Sequence, residues 1–435
     1  MNETATNQEP SKDDEVPKAE PKLPTINAEL REFIEHLFSL HKTFQVTMDA
    51  ILAEWKIQLD QLSALIEENT KISEEGGERS TRIGLEEYYE FEAMNRKAKA
   101  YRLSWKIIPK SYVMSLVSQY DAYLARLIRA IYFMKPELLS TSDRELTFAQ
   151  LVKFNSLEDA KEFILEKEVE SVLRESHIKH FQWMEGKFKI NLRQNLDVWP
   201  DFVEVTERRN LFVHNNGYVS SQYLKICEEQ GVKITGIKVG DELAADKEYF
   251  EHAHNVIFEM GFKLAHVLWR KFSPEDLAAA DSNLIEIGYD YPLAEENYPL
   301  TQIVFDFATE TLKKHSSEAE RLVMVVNRAL GYKWAGNNEK AQEIVSAEDW
   351  SAAAPRFRLA SAILMDDFDT AYQIMKSIGK NHGEVSKGNY RQWPLFKVIR
   401  TEKRFRETFQ EIYGEPFETI DTETLDDLSL PPEGA

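Results

Sequence analysis

Cysteine is nearly absent: Cys227 is the only one in 435 residues. A disulfide within the chain is therefore impossible, as is a cysteine-based metal site, and a reducing compartment fits. Glycine and proline are sparse, at 17 and 15 residues, which favours long helices over a turn-rich β fold. No uninterrupted apolar run approaches the length of a membrane span. The polar, acidic start has no basic stretch leading into an apolar one, so no signal peptide is expected. A Gly-x-x-x-x-Gly-Lys loop, a Gly-x-Ser-x-Gly elbow and a His-Glu-x-x-His pair are all missing. Nucleotide-dependent and protease chemistry therefore lack support, and no cofactor is expected. The chain reads as cytoplasmic, with no membrane partner.

Apolar residues make up 43% of the chain and aromatics 11%, enough for sizeable cores. The length suggests two to three folding units. The formal charge is −21, and much of it is terminal. Residues 1–25 hold six acids against three lysines, and residues 415–435 hold seven acids and no base. Strong non-specific binding to nucleic acid is not expected of such a chain, although a small, locally basic site for RNA is allowed. Segments 1–25 and 414–435 read as acidic disordered tails.

From Ile26 to about Ser73 the apolar positions Leu30, Phe33, Ile34, Leu37, Phe44 and Met48 fall mostly at helical spacing, predicting one or two long helices. Gly76-Gly77 breaks them, and a further helix runs from about Leu85 to Trp105. Pro109 marks the next start, followed by the stripe Val113, Leu116, Val117, Tyr120, Leu124, Leu127, Ile128 and Ile131. Residues 146–155 predict a short helix, 157–185 a longer one, Phe202 to about His214 another, and 249–271 the last of the group. The stretch 228–248 suggests a short hairpin. The fold class expected is all-α: a helical bundle over 105–271, flanked by an N-terminal long-helix segment over 26–104. Residues 272–300, with Pro274, Pro292 and Pro299, read as a linker.

Helix-hairpin repeats are expected over 301–413. Gly336-Asn337-Asn338-Glu339-Lys340-Ala341 aligns with Asp366-Asp367-Phe368-Asp369-Thr370-Ala371 at an offset of 30, each a polar turn opening a helix. The pairs resemble tetratricopeptide repeats, with an offset shorter than is usual for them. Trp334, Trp350 and Trp393 read as packing residues.

One motif carries chemistry. Arg209-Asn210-Leu211-Phe212-Val213-His214 is an Arg followed, after four residues, by His, with a polar residue directly after the Arg. The bare spacing is cheap, since Arg31…His36 and Arg174…His180 satisfy similar ones. Asn210 and His214 share a helix face at i and i+4, and the long Arg209 arm can reach the same surface. Imidazole suits general acid–base work near neutral pH. The guanidinium fork matches phosphate oxygens.

Context separates this match from the other two. The run from Glu207 to Leu224, ERRNLFVHNNGYVSSQYL, resembles bacterial HEPN-domain proteins of the RN-x3-H type. The likeness covers about 105–271, including the helix from Ser111 to Tyr132. It implies a metal-independent endoribonuclease in stress or phage defence, cleaving RNA by attack of the ribose 2′-OH. Arg209, Asn210 and His214 would then be catalytic, and DNA would resist. It also implies a homodimer in which two copies of the motif share one cleft, with a protein partner expected on the C-terminal repeats. The alternative is a non-catalytic HEPN-fold dimer acting as a protein-interaction adaptor.

Other candidates weigh less. Glu204 and Glu207 are placed to orient Arg209, although such acids are more often solvated or paired, here with Arg208. His177 and His180, at i and i+3, have the spacing of metal ligands, but no third ligand lies nearby in sequence. They read as a surface pair, and no metal is expected. His252 and His254 read as structural, and Cys227 as a small, semi-buried residue.

Overall fold

The structure is a computed structural model that describes residues 24–69, 71–75, 78–141, 145–380 and 383–419. Of the expected disordered tails, residues 24–25 and 414–419 are described. Residues 414–419 are no tail: the Phe417 ring packs on Phe405 and Phe409, and Glu415 pairs with Lys387. The rest of both tails and Gly76-Gly77 lie outside the described residues. The described chain is all-α apart from one two-stranded hairpin. None of its helices is long and apolar enough to cross a membrane.

Helix α1 spans Ile26–Asn69 as one unbroken element. Thr25 Oγ1 accepts the Ala28 amide at its start. Strands β1 (Lys71–Glu75) and β2 (Glu78–Arg82) pair antiparallel, with Lys71 opposite Arg82. Helix α2 then runs from Leu85 to Met134. Pro109 lies inside it and is buried, so it does not begin a helix as expected. Proline removes one backbone bond to the preceding turn, and its ring here packs at the point where α2 enters the core. The division expected at 104/105 therefore falls within a single helix. Between Met48 and Pro109 only Gln58, Leu62 and Ala98 are buried among the residues described there. The inner parts of α1 and α2 belong to the central core.

Helix α3 is a single turn, Phe148–Leu151, closed by a capping box between Thr147 and Gln150. The long helix expected over 157–185 is two helices, α4 (Leu157–Leu173) and α5 (His177–Phe188). Ser176 ends the first register and N-caps the second, accepting from the Lys179 amide. Helices α6 (Trp199–Asn215), α7 (Ser221–Glu229) and α8 (Lys247–Phe272) follow. No hairpin forms over 228–248. That segment instead folds back on the end of α6: the Val219 amide donates to Asp241 O at 2.9 Å, and the Leu243 amide to Gly217 O at 2.9 Å. Gly217 has φ +91°, and a Cβ there would meet Leu243 O at 2.9 Å, so glycine is needed on both counts.

Helix α8 is the axis of the core, buried on most faces from Phe250 to Phe272. The Phe33 ring of α1 stacks on Tyr123 of α2 with centroids 4.2 Å apart. The Tyr123 hydroxyl donates to Gly261 O of α8 at 3.1 Å. The same core continues through residues 272–300, which are no linker. Helix α9 (Leu277–Gly288) buries Leu284 and Ile287 completely. The prolines that suggested a linker sit where helices tolerate them: Pro274 and Pro299 occupy first-turn positions, the latter in α10 (Tyr298–Asp306). Pro292 lies in a short π-helical turn.

A second core is built from helical hairpins: α11 (Glu318–Trp334) with α12 (Asn338–Ser346), and α13 (Pro355–Leu364) with α14 (Phe368–Ile378). The 30-residue repeat extends to the backbone. Gly336 and Asp366 both take positive φ, at 87° and 62°. Asn337 and Asp367 both cap the next helix, each accepting an amide at 3.1 Å. Ala341 and Ala371 are both fully buried. Lys333 joins the hairpins by donating to Leu364 O and to Asp366. Helices α15 (Lys387–Gln392) and α16 (Lys403–Tyr413) close the chain. Tyr390, Phe396, Phe405 and Phe409 fill this end of the second core.

Candidate functional site

Helix α6 presents two polar faces. Glu204 and Arg208 turn toward α7 and α8. Glu204 is buried and accepts from Arg208 Nε at 2.6 Å, the Tyr223 hydroxyl at 2.7 Å and the Tyr249 hydroxyl at 2.8 Å. Arg208 stacks over the Tyr249 ring at 3.9 Å. This satisfied network fastens α6 in place. Glu204 therefore belongs to Arg208 and does not orient Arg209.

Arg209, Asn210 and His214 line one cleft of about 690 Å³, formed where α6 meets the C-terminal end of α4, the start of α5 and the middle of α2. Arg209 Nη2 donates to Asp121 Oδ2 at 2.6 Å. Its Nε is buried and makes no hydrogen bond among the described residues. Glu207 lies on the same wall, and Asn210 Nδ2 is 3.5 Å from its Oε1, at the limit of a hydrogen bond. Burial pushes the Glu207 carboxyl above its ordinary value, with Asn210 opposing the shift. Leu211 and Phe212 point into the core, while Val213 and His214 are exposed. His214 sits in the last turn of α6 and has no hydrogen-bond or ion-pair partner among the described residues. A left-handed Asn216 ends the helix just beyond it, and the Gly217 amide donates back to Leu211 O at 3.0 Å.

The cleft floor was not foreseen. Asp121 Oδ1 lies 2.8 Å from His177 Nε2, so one carboxylate joins the start of α5 to Arg209. Burial raises the Asp121 carboxyl, but the His177 hydrogen bond and the charges of His177 and Arg209 outweigh it and hold it below the ordinary carboxylate value. His177 and His180 are not a surface pair: they are 6% and 2% exposed. Burial, with the nearby His177 charge, lowers the His180 imidazole to about 4. Among the described residues neither His180 ring nitrogen closes a well-formed hydrogen bond, the backbone of Leu173 and Glu175 approaching only weakly. Asp121, His177 and His180 bring their ligand-type atoms within 4.8 Å of one another.

Of the other Arg–His spacings, Arg31…His36 lies away from the cleft, whereas Arg174…His180 ends in it, with His180 on the floor. Arg31 pairs with Glu286, and His36 bonds to Gln119 at 2.9 Å. Arg174 reaches the cleft rim and pairs with Glu170. One signal for the floor was present in the sequence. Asp121 is an acid inside an apolar stripe, between the buried Tyr120 and Tyr123, and a charge in that setting needs a partner.

Set against known proteins, the chain matches no family model, no curated protein and no solved structure.

Proposed function

We propose that this chain is a HEPN-type endoribonuclease that cleaves RNA by attack of the ribose 2′-OH. Arg209, Asn210 and His214 would form the reacting site. The observation that supports this reading is that all three side chains open into one cleft and that His214 is exposed, with no partner among the described residues. His214 takes the 2′-OH proton as the O2′–P bond forms. Arg209 stabilises the charge that builds on the phosphate oxygens. The P–O5′ bond breaks, leaving a 2′,3′-cyclic phosphate and a 5′-hydroxyl. DNA lacks the nucleophile and resists. Asp121 is a positioning residue that holds the guanidinium at the cleft wall.

The chemistry needs a second proton-transfer group to protonate the leaving 5′-oxygen. His177 is tied to Asp121 and His180 is buried, so among the described residues His214 is the one exposed imidazole on the cleft wall. A homodimer that sets a second His214 opposite the first would supply the missing group.

The Arg209–Asp121 ion pair favours a second reading, a non-catalytic dimer that serves as an adaptor through its C-terminal hairpins. A guanidinium already neutralised has less to offer a phosphate. Cleavage of mixed RNA by the purified full chain, with chelator present, separates the two. The nuclease reading expects cyclic-phosphate products that are lost in both Arg209→Ala and His214→Ala. Equal cleavage by parent and both variants would sink it. No cleavage by the parent would favour the adaptor.

A further inference from the structure

Beneath Arg209 the cleft holds a set of groups that the ribonuclease reading does not use. Asp121 comes from α2, and His177 and His180 come from successive turns at the start of α5. One carboxylate oxygen and two imidazole nitrogens lie within 4.8 Å of one another. The observation that points to a ligand is His180. It is 2% exposed and lines the cleft, yet among the described residues neither ring nitrogen closes a well-formed hydrogen bond, and the backbone of Leu173 and Glu175 approaches the ring only weakly. A buried polar group whose hydrogen bonds are poorly formed costs free energy, and a ligand entering from the cleft would satisfy this ring better than the backbone does.

We propose that Asp121, His177 and His180 form a binding site for a divalent transition-metal ion of the zinc type, with an open coordination position facing the cleft.

The donor set selects this class of ion. Two imidazoles and one carboxylate suit Zn²⁺ and Co²⁺, whereas Mg²⁺ and Ca²⁺ prefer oxygen ligands throughout. Tetrahedral ligands about 2.0–2.1 Å from zinc lie roughly 3.3 Å apart. The Asp121–His177 separation of 2.8 Å is already close to that. The His177 and His180 ring centroids are 5.1 Å apart with planes inclined at 60°, so a modest ring rotation brings both nitrogens to one centre. Asp121 has a second shell in place. Its Oδ1 faces His177, while its Oδ2 is held by Arg209, the arrangement that orients a ligating carboxylate. Three protein ligands beside a solvent-filled cleft leave a fourth position for water or an anionic group.

Two features oppose binding. Arg209 places a positive charge behind Asp121, and His177 begins α5 at the positive end of its helix dipole. Both weaken affinity for a cation.

The proposal concerns binding alone and is read without RNA, so it stands or falls apart from the nuclease reading. The test is titration of the chelator-treated full chain with Co²⁺, followed by its visible absorption bands. The expected result is saturation at one equivalent. Asp121→Asn and His180→Gln should each weaken binding by about tenfold or more, while His252→Gln, on an exposed surface elsewhere, leaves it unchanged. Failure of the parent to bind one equivalent, or equal binding by parent and both site variants, overturns the proposal. If a variant loses its helical circular dichroism, X-ray absorption of the Co²⁺-loaded parent decides. Two imidazoles in the first coordination sphere support the site, and fewer than two overturn it. His180 bonded only to a trapped water is the outcome that a non-binding parent would indicate.

Discussion

Arg209 of α6 donates to Asp121 of α2 at 2.6 Å across a sequence separation of 88 residues. The same carboxylate bonds to His177 of α5 at 2.8 Å. Three helices therefore meet at one acid, and Asp121 governs both the wall and the floor of the cleft.

Replacing Asp121 tests that arrangement energetically. Asp121→Ala leaves a guanidinium and an imidazole without their shared partner, in a site only partly open to solvent. We expect a loss of about 1–3 kcal/mol in urea unfolding. Asp121→Asn keeps the shape and one acceptor oxygen and should lose less. Equal stability of Asp121→Ala and the parent would mean that the pair does not hold these helices.

Gly261 of α8 lies directly against Phe33 of α1. A Cβ built there would lie 2.3 Å from Phe33 Cε1, and Phe33 is pinned by its stacking on Tyr123. Gly261→Ala should destabilise the protein by about 1–3 kcal/mol through overpacking, despite the better helix propensity of alanine. Adding Phe33→Leu should recover part of that loss, a coupling that a double-mutant cycle measures. Full additivity of the two changes would contradict the close approach.

His254 predicts a pH dependence. Burial, and then the charge of His41, lowers its imidazole to about 4. The folded state resists the proton that the unfolded chain accepts near pH 6.5. Between about pH 6.5 and 4 the unfolded state thus binds more protons, so stability is full above that window and falls as pH drops through it. The contribution is on the order of 3 kcal/mol over the whole window. Urea midpoints from pH 7 to pH 5 should decline, and less steeply in His254→Phe. An identical decline in both proteins would exclude His254 as a cause.

The repeat in the second core predicts matched energetics. Asn337 and Asp367 each cap a helix in equivalent backbone conformations. Asn337→Ala and Asp367→Ala should each cost about 0.5–2 kcal/mol in thermal or urea unfolding. A negligible cost at both positions would remove the caps from the account of the repeat.

Much of this architecture is legible in local pattern. The stripe from Val113 to Ile131 and the helix ending at His214 lie where the apolar spacing put them, because both helices bury one regular face. The 30-residue offset was visible because each cap residue and each buried alanine recurs. What escaped depends on distant partners. Pro109 resembles a helix start, but tertiary packing carries α2 through it. The prolines of 272–300 resemble a linker, although Pro274 and Pro299 occupy first-turn positions that a helix accepts. The break at Ser176 is signalled only by one capping side chain, yet it sets His177 and His180 at the start of a new helix facing α2. Arg209, Asn210 and His214 were identifiable because they are neighbours in sequence. Asp121 was not, because only the packing of α2 on α6 brings it to Arg209.

The central claim is that Arg209 and His214 act together on a phosphodiester. Its most direct test is product analysis of mixed RNA incubated with the full chain and chelator, beside Arg209→Ala and His214→Ala. The account predicts 2′,3′-cyclic phosphate ends from the parent and at least about a hundredfold loss in each variant. Cleavage that persists undiminished in both variants would contradict it.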